Sequence, residues 1–360
     1  MINVGLLVYD ISLTGGAEKV ALNLACELSK KYNVYMISVF NQKKYECEKK
    51  YNLFVLSDEF VKIPFNLRKL SDKTKKILID NKIDVLLSIT AGVNDIAYLG
   101  TKNINTKFIY CEHSNLENKT YGLKHQFRQL IGAKKADLVV TLTERDCHNF
   151  IKKYHLSEKK VIAIPNWYTP INQNNHYKLS SKRIITVGRL EKVKGYDLLI
   201  RVAKKIFKEH GDWIWDIYGE GTYRKEIENM IHENNLENNV FLKGNVNNLN
   251  ELYGNYSFFV MTSYYEGFPL SLLEAQSFNL PIISFNCPTG PEEIIINNKN
   301  GYVVNAYDTE EMSKKIINLI ENQNKRKIFS KNARNGLTKY SINDILSIWY
   351  QVINKIVKDK

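Results

Sequence analysis

The chain has 360 residues, 44% hydrophobic and 25% charged, an ordinary composition for a globular protein but too long for one comfortable core, so two domains are expected. Its 51 lysines and arginines exceed its 38 aspartates and glutamates, giving a net charge of +13. That surplus favours a polyanionic partner and leaves nucleic acid, an anionic membrane surface and phosphorylated ligands open. No apolar run approaches the length needed to span a bilayer, and the opening Met1-Ile-Asn-Val-Gly-Leu-Leu-Val8 reads as a first strand, not a signal peptide. The five cysteines (Cys26, Cys47, Cys111, Cys147, Cys287) are scattered, odd in number and without a CxxC pair. Reduced thiols in a cytoplasmic protein are the simplest account.

In chain order, residues 2–9 predict a strand and 17–31 a helix with Val20, Leu24 and Leu28 on one face. Between them, Gly15 and Gly16 after Thr14 suit either a tight turn or a close approach of backbone to a ligand at the carboxyl edge of a sheet. Further strands are expected at 34–40, 53–56, 83–89, 107–111, 138–141 and 161–164, with helices at 66–81, 121–134 and 144–154. This alternation predicts an α/β fold with a mostly parallel sheet covered on both faces. Residues 1–170 form the expected first domain. Residues 171–181 form a polar linker without apolar periodicity, 182–340 a second domain, and 341–360 a closing helix.

The second half repeats the scheme, with strands at 183–187, 213–218, 240–242, 257–261, 281–284 and 302–304. The final helix, 342–358, carries an apolar stripe of Ile345, Leu346, Trp349, Val352 and Ile356. The most informative stretch is Glu266-Gly-Phe-Pro-Leu-Ser-Leu-Leu-Glu274, which reads as loop then helix after a buried strand. Pro269 suits the first helical position, and Leu270, Leu272, Leu273 and Ala275 give the helix an apolar face. The unpaired N–H groups of Leu270 and Ser271 at a helix start attract an anion, above all a phosphate. Glu266 and Glu274, one on each side, suit a ligand with hydroxyls at both ends of a phosphate group, such as a nucleotide sugar. A solvated loop acid and a surface helix acid are the plain alternative.

Gly188-Arg-Leu-Glu-Lys-Val-Lys-Gly195 and the 266–274 run together resemble the retaining glycosyltransferases of family 4. Tyr218-Gly-Glu-Gly221, Cys287-Pro-Thr-Gly-Pro-Glu-Glu-Ile-Ile295 and Asn300-Gly-Tyr-Val303 extend the likeness, which is densest in the second half. The resemblance implies the GT-B fold, two Rossmann-like domains facing across a cleft. It implies a nucleotide-sugar donor, UDP-linked, and a surface-polysaccharide or lipid-linked glycan acceptor. Arg189 and Lys194 would hold the donor diphosphate, which is sound for a guanidinium fork and a mobile ammonium. Glu274 would accept from the ribose hydroxyls. Glu266 would contact the donor hexose beside Gly267, Phe268, Pro269, Leu270 and Ser271. Gly219 and Asn245 would border the base. His113, in Tyr110-Cys-Glu-His-Ser114, would approach the transferred sugar, and the facing of Glu112 is left open. The catalytic set expected is thus Glu266, His113, Arg189 and Lys194, acting by front-face attack with retention.

There is no DxD pair and no His/Cys cluster with ligand spacing, so no metal and no cofactor are expected; protein cations and a helix start would stabilise the leaving group. Three basic and aromatic stretches of the first half, 43–51, 62–76 and 119–135, suit docking on an anionic membrane surface, or are solvated helix faces with buried aromatics. That reading places the enzyme in the cytoplasm, peripheral on the inner face of the plasma membrane. A sugar-nucleotide epimerase of the same architecture is the rival enzyme. A nucleic-acid-binding protein is disfavoured because the basic residues carry no nucleic-acid motif, and no nucleic-acid partner is expected.

Overall fold

The computed structural model describes residues 1–13, 15–41, 51–118, 121–168, 177–246 and 248–359. Thr14, most of the 43–51 stretch, Lys119 and most of the expected linker lie outside the described residues. The chain forms two units, Met1–Asn166 with Asn343–Lys360, and Trp167–Ile342.

In the first unit, strands and helices alternate as β1 (Asn3–Asp10), α1 (Gly16–Leu28), β2 (Asn33–Phe40), β3 (Asn52–Val55), α2 (Ile63–Asp80), β4 (Val85–Ile89), α3 (Asn94–Thr101), β5 (Lys107–Cys111), α4 (Leu123–Lys135), β6 (Leu138–Thr141), α5 (Glu144–Tyr154) and β7 (Val161–Ala163). The seven strands pair in the order β3-β2-β1-β4-β5-β6-β7, all parallel. Strands β1, β2 and β4 are buried along nearly all their length and mostly apolar, with Ser38 and Ser88 among the buried exceptions, as a strand covered on both faces requires. Strand order reverses between β1 and β4, and the Gly15–Gly16 turn opens at the carboxyl edge beside that point.

The second unit runs β8 (Arg183–Val187), α6 (Tyr196–Glu209), β9 (Ile214–Tyr218), α7 (Arg224–Glu233), β10 (Val240–Gly244), α8 (Leu249–Leu252), β11 (Phe258–Met261), α9 (Leu270–Ser277), β12 (Ile282–Phe285), α10 (Pro291–Ile294), β13 (Gly301–Val304), α11 (Thr309–Glu321) and α12 (Gln323–Asn332). Its six parallel strands are ordered β10-β9-β8-β11-β12-β13, so the reversal falls between β8 and β11. The core is built from buried side chains such as Leu199, Ile206, Trp215, Phe258, Ile283 and Phe329. The buried Arg326 donates to the carbonyls of Leu319 and Ile320 and lies 5.5 Å from the Trp213 ring, closing the end of α11 with a fixed cation.

The last helix, α13 (Ile342–Lys358), belongs with the first unit from Asn343 onward. Ile345, Leu346, Trp349 and Ile353 are its buried residues. Tyr350 packs edge-on against Tyr32 at 5.7 Å and under the Lys31 ammonium at 4.4 Å, and the Tyr32 hydroxyl donates to Asn354.

Several expected boundaries shift. Helix α1 ends at Leu28, before 31, and α2 starts at Ile63, with Pro64 in its first turn. Helix α3, absent from the expected elements, carries Gly100 and is only eight residues long, too short for a clear helical period.

Candidate active site

The two sequence motifs of the second unit, more than 70 residues apart, meet at the β8/β11 reversal. After β8 the chain passes Gly188 and Arg189 into a short 3₁₀ turn at Lys192–Lys194 and then into α6. After β11 it runs through Ser263 and Glu266 into α9. Hydrogen bonds join the two loops, since the Tyr264 N–H donates to Val193 O at 2.8 Å and the Thr262 side-chain Oγ1 to Lys194 O at 3.3 Å. Gly195 makes this approach possible. Its φ is +66°, and a Cβ there would lie 2.1 Å from Thr262 O.

The Lys194 ammonium donates to both oxygens of Glu266, at 2.7 and 2.9 Å, and Ser263 Oγ donates to Glu266 Oε1 at 2.6 Å. The side chains are 23% and 10% exposed, so this is a mostly enclosed ion pair whose partners feel each other more strongly than a surface pair would. Thr289 Oγ1 donates to the carbonyls of Glu266 and Gly267, at 2.8 and 3.2 Å, and Gly290 packs where a Cβ would strike Pro269 Cδ at 2.5 Å. On the other side, Tyr264 OH donates to Asp197, while Tyr307 OH donates to Tyr264 O at 3.0 Å. The Glu266 loop is therefore fixed at its carbonyls and its carboxylate.

Arg189 is exposed, and its carbonyl accepts from Tyr196 OH at 3.3 Å. Gly219, with φ +140°, lies against Gly188, where a Cβ would fall 1.9 Å from Gly188 O. Its N–H donates to Gly244 O at 2.9 Å, which brings the ends of β8, β9 and β10 together beside the exposed Asn245. Phe268 is buried, its ring 5.2 Å from Tyr340, and Leu270 and Ser271 are half-buried in the first turn of α9. Pro269 is the helix cap, one position earlier than expected. Leu270, expected on the apolar face, stays half-buried, and Leu272, Leu273 and Ala275 carry the packing. No side chain caps this helix start, so its first N–H groups face a ligand or water. Glu274 lies one turn in, receiving Tyr253 OH at 3.3 Å, and the Arg334 guanidinium donates twice to the Ser277 carbonyl at the other end of α9.

In the first unit, Gly15 and Gly16 follow β1, and His113 follows β5, two strands away on the same carboxyl edge. Among the described residues, a Cβ on Gly16 would meet nothing within 4 Å. Burial holds the His113 imidazole down at about 4, against a weaker opposing pull from the Glu112 carboxylate, so it is neutral at physiological pH. Glu112 itself turns inward and is 1% exposed. It accepts from Tyr110 OH, from Gln129 Nε2 at 2.8 Å, and from Ser114 N and Oγ at 2.8 and 2.6 Å. It anchors the turn that carries His113. Thr143 caps α5 by accepting from Asp146 N, as its position before Glu144 suggests.

The buried Asp146 is pushed up to about 7, first by burial and then by the Glu112 charge. Its ordinary value is 3.8, so between pH 3.8 and 7 the folded chain keeps a proton the unfolded chain has lost, and stability falls as pH rises. His113 acts in the opposite sense between pH 4 and 6.5, and cancels when two variants are compared. Asp146→Asn is therefore expected to gain about 2–3 kcal/mol relative to the parent between pH 5 and pH 8. Urea midpoints at the two pH values read this difference, and a pH-independent gap would count against it.

The sequence reading had no signal for Ser263, Tyr307 or Thr289 as supports of Glu266. Thr289 lies inside the noticed Cys287-Pro-Thr-Gly run, but its φ of +71° is visible only in the fold. Among the described residues, no group of His, Cys, Asp or Glu is placed to hold a metal ion.

Two parallel Rossmann-like sheets, the second with a cation, a carboxylate and a helix start at its topological reversal, define a glycosyltransferase of the GT-B fold. Residues 14–170 match the model for Glycosyltransferase Family 4 and residues 170–336 the model for Glycosyl transferases group 1. The chain belongs to the family 4-like glycosyltransferases. It is 28% identical to an uncharacterized glycosyltransferase of Haemophilus influenzae, over 98% of this chain and 100% of that one. It is 32% identical to a poly(ribitol-phosphate) alpha-N-acetylglucosaminyltransferase of Staphylococcus aureus, over 68% of this chain and half of the other's length. Its fold is similar to that of S. aureus TarM solved with fondaparinux, alpha-GlcNAc-glycerol and UDP (TM-score 0.83, 18% identity, 98% of this chain and 100% of that one).

Proposed function

We propose that the chain moves a hexose or N-acetylhexosamine, with retention, from a UDP-sugar to a growing surface-polysaccharide or lipid-linked glycan. The observation that carries this reading is the junction of Lys194 and Glu266 beside the start of α9. Lys194 and Arg189 take the diphosphate, and the first amides of α9 receive its oxygens. Glu266 and Glu274 take hexose and ribose hydroxyls, with Gly219 and Asn245 beside the base. His113 approaches the sugar as a neutral imidazole. The S. aureus relative named for N-acetylglucosaminyl transfer and the UDP in the TarM structure support the choice of donor. As the C1–O bond to the diphosphate breaks, the acceptor O–H attacks the same face and passes its proton to the leaving phosphate oxygen. Charge grows on that phosphate, where Lys194, Arg189 and the helix amides stabilise it.

No metal enters this scheme, so UDP release is expected to need both donor and acceptor and to persist in EDTA. Loss with EDTA that Mn²⁺ or Mg²⁺ restores would replace the cationic side chains with a metal. UDP release without acceptor would favour the epimerase.

The first unit suits attachment to an anionic membrane. Leu123, Phe127 and Leu130, at 82%, 62% and 39% exposure, follow one another at helical spacing on α4, near Lys124 and Lys134. Phe65 on α2, in the basic 62–76 stretch, is 84% exposed. Each cation near such a surface contributes on the order of 1 kcal/mol. Among the described residues, no helix is long and apolar enough to cross a membrane, and the attachment proposed is peripheral, on the inner face. Co-sedimentation should rise with phosphatidylglycerol content and fall with salt, and Phe127→Ser should weaken it. Equal recovery on neutral and anionic vesicles would favour a soluble acceptor.

A further inference from the structure

A cavity of about 490 Å³ opens in the first unit at the amino end of β5, lined by Tyr98, Lys102, Lys107, Lys135 and Asp137 among others. Because the sheet is parallel, this is the opposite end of β5 from His113. Cations are common at helix C-termini, where they neutralise the last carbonyls, and α3 and α4 both end here. That need is met by other lysines. Lys75 Nζ donates to Lys102 O and Lys160 Nζ to Lys134 O, each at 2.9 Å. Lys102, Lys107 and Lys135 are surplus to it.

The cavity's one carboxylate does not balance them. Asp137 Oδ2 accepts the Phe108 N–H at 2.8 Å, and Oδ1 lies 3.7 Å from Lys107 Nζ. The Lys135 ammonium stands 5.7 Å from the centre of the Tyr98 ring, with no carboxylate within ion-pair distance among the described residues. Lys160 is held below the usual lysine range chiefly by burial, against an opposing pull from Asp137, with Lys134 and Lys135 repelling it further. The volume is that of a small-ligand site, and the tyrosine ring offers a wall for a flat apolar face.

We propose that this cavity is a second binding site for a small phosphate ester, its phosphate held by Lys102, Lys107 and Lys135 and its organic part lying on Tyr98. The phosphate ester comes either from a soluble nucleotide or sugar phosphate or from a lipid headgroup. The proposal does not depend on the donor reading, because no residue of the second unit takes part.

The test is calorimetric titration of the full chain with UMP, beside flotation on phosphatidylglycerol and phosphatidylcholine vesicles. Three variants are compared, Lys102→Glu/Lys135→Glu, Lys194→Ala, and Lys152→Glu/Lys208→Glu, which matches the first in net charge change and lies outside the basic stretches 62–76 and 119–135. A UMP-binding event kept in the second and third but weakened at least about tenfold in the first assigns a soluble ligand. Vesicle binding with the same dependence, and no such UMP event, assigns a lipid headgroup. Equal losses in the two charge-reversal variants would reduce the effect to net charge and overturn the site, as would no change in either assay. Tyr98→Ala, which keeps every charge, should weaken UMP several-fold, and melting curves confirm that each variant is folded.

Discussion

Lys194→Ala and Glu266→Gln should each lower kcat/KM for sugar transfer by roughly 10²–10⁴. The two side chains hold each other, Lys194 on both oxygens of Glu266. In the proposed reading the donor diphosphate takes the ammonium and the sugar hydroxyls take the carboxylate. The variants should therefore differ in kind. Glu266→Gln keeps an acceptor for Ser263 and loses the charge that orients the hexose, so UDP affinity stays near that of the parent while kcat falls. Lys194→Ala weakens UDP itself and leaves an enclosed carboxylate without its cation, so its melting point should drop by a few degrees. Parental turnover in either variant, measured on the true donor and acceptor, would remove these residues from the site.

Gly219→Ala should cost about 3–5 kcal/mol of stability and abolish activity. The new methyl would sit 1.9 Å from the Gly188 carbonyl at a φ of +140°, so both contact and backbone oppose it. Relief requires moving Gly188, whose carbonyl accepts from Tyr196 and which adjoins Arg189. Gly16→Ala is the informative contrast, because its methyl meets open space in the first turn of α1. It should leave the urea midpoint unchanged or slightly raised, and lower activity only if a ligand comes close to that turn. A Gly219→Ala protein with the parental urea midpoint would mean that the β8 and β9 ends can separate freely.

The fold class was legible because strands such as β1 are largely apolar and are followed by helix-length amphipathic segments such as α1. Helix α13 was legible end to end, since Ile345, Leu346 and Trp349 recur at helical spacing. Helix α3 was not, because eight residues carry too few turns to show a period. Within the site, Lys194 and Glu266 were nameable from their motifs, but their direct bond was not, because it depends on β8 and β11 being neighbours in the sheet. Ser263, Tyr307 and Thr289 are ordinary residues in sequence and acquire a role only through loop geometry. Glu112 shows the converse: its facing is open in the sequence, and only the fold turns it inward onto four donors.

The first unit is completed by the last stretch of chain, Asn343–Lys360. On the ribosome, strands β1 to β7 emerge long before α13 exists, so the surface around Tyr32 that receives Tyr350 and Asn354 waits uncovered while the whole second unit is made. Domains fold during synthesis as they become available, and the second unit is contiguous. The later-synthesised half can thus reach its native state first, and the earlier half is sealed only once α13 has been made. A stop just before α13 would release a chain with a folded second unit and an unfinished first, a substrate for chaperones and proteases instead of a partly active enzyme.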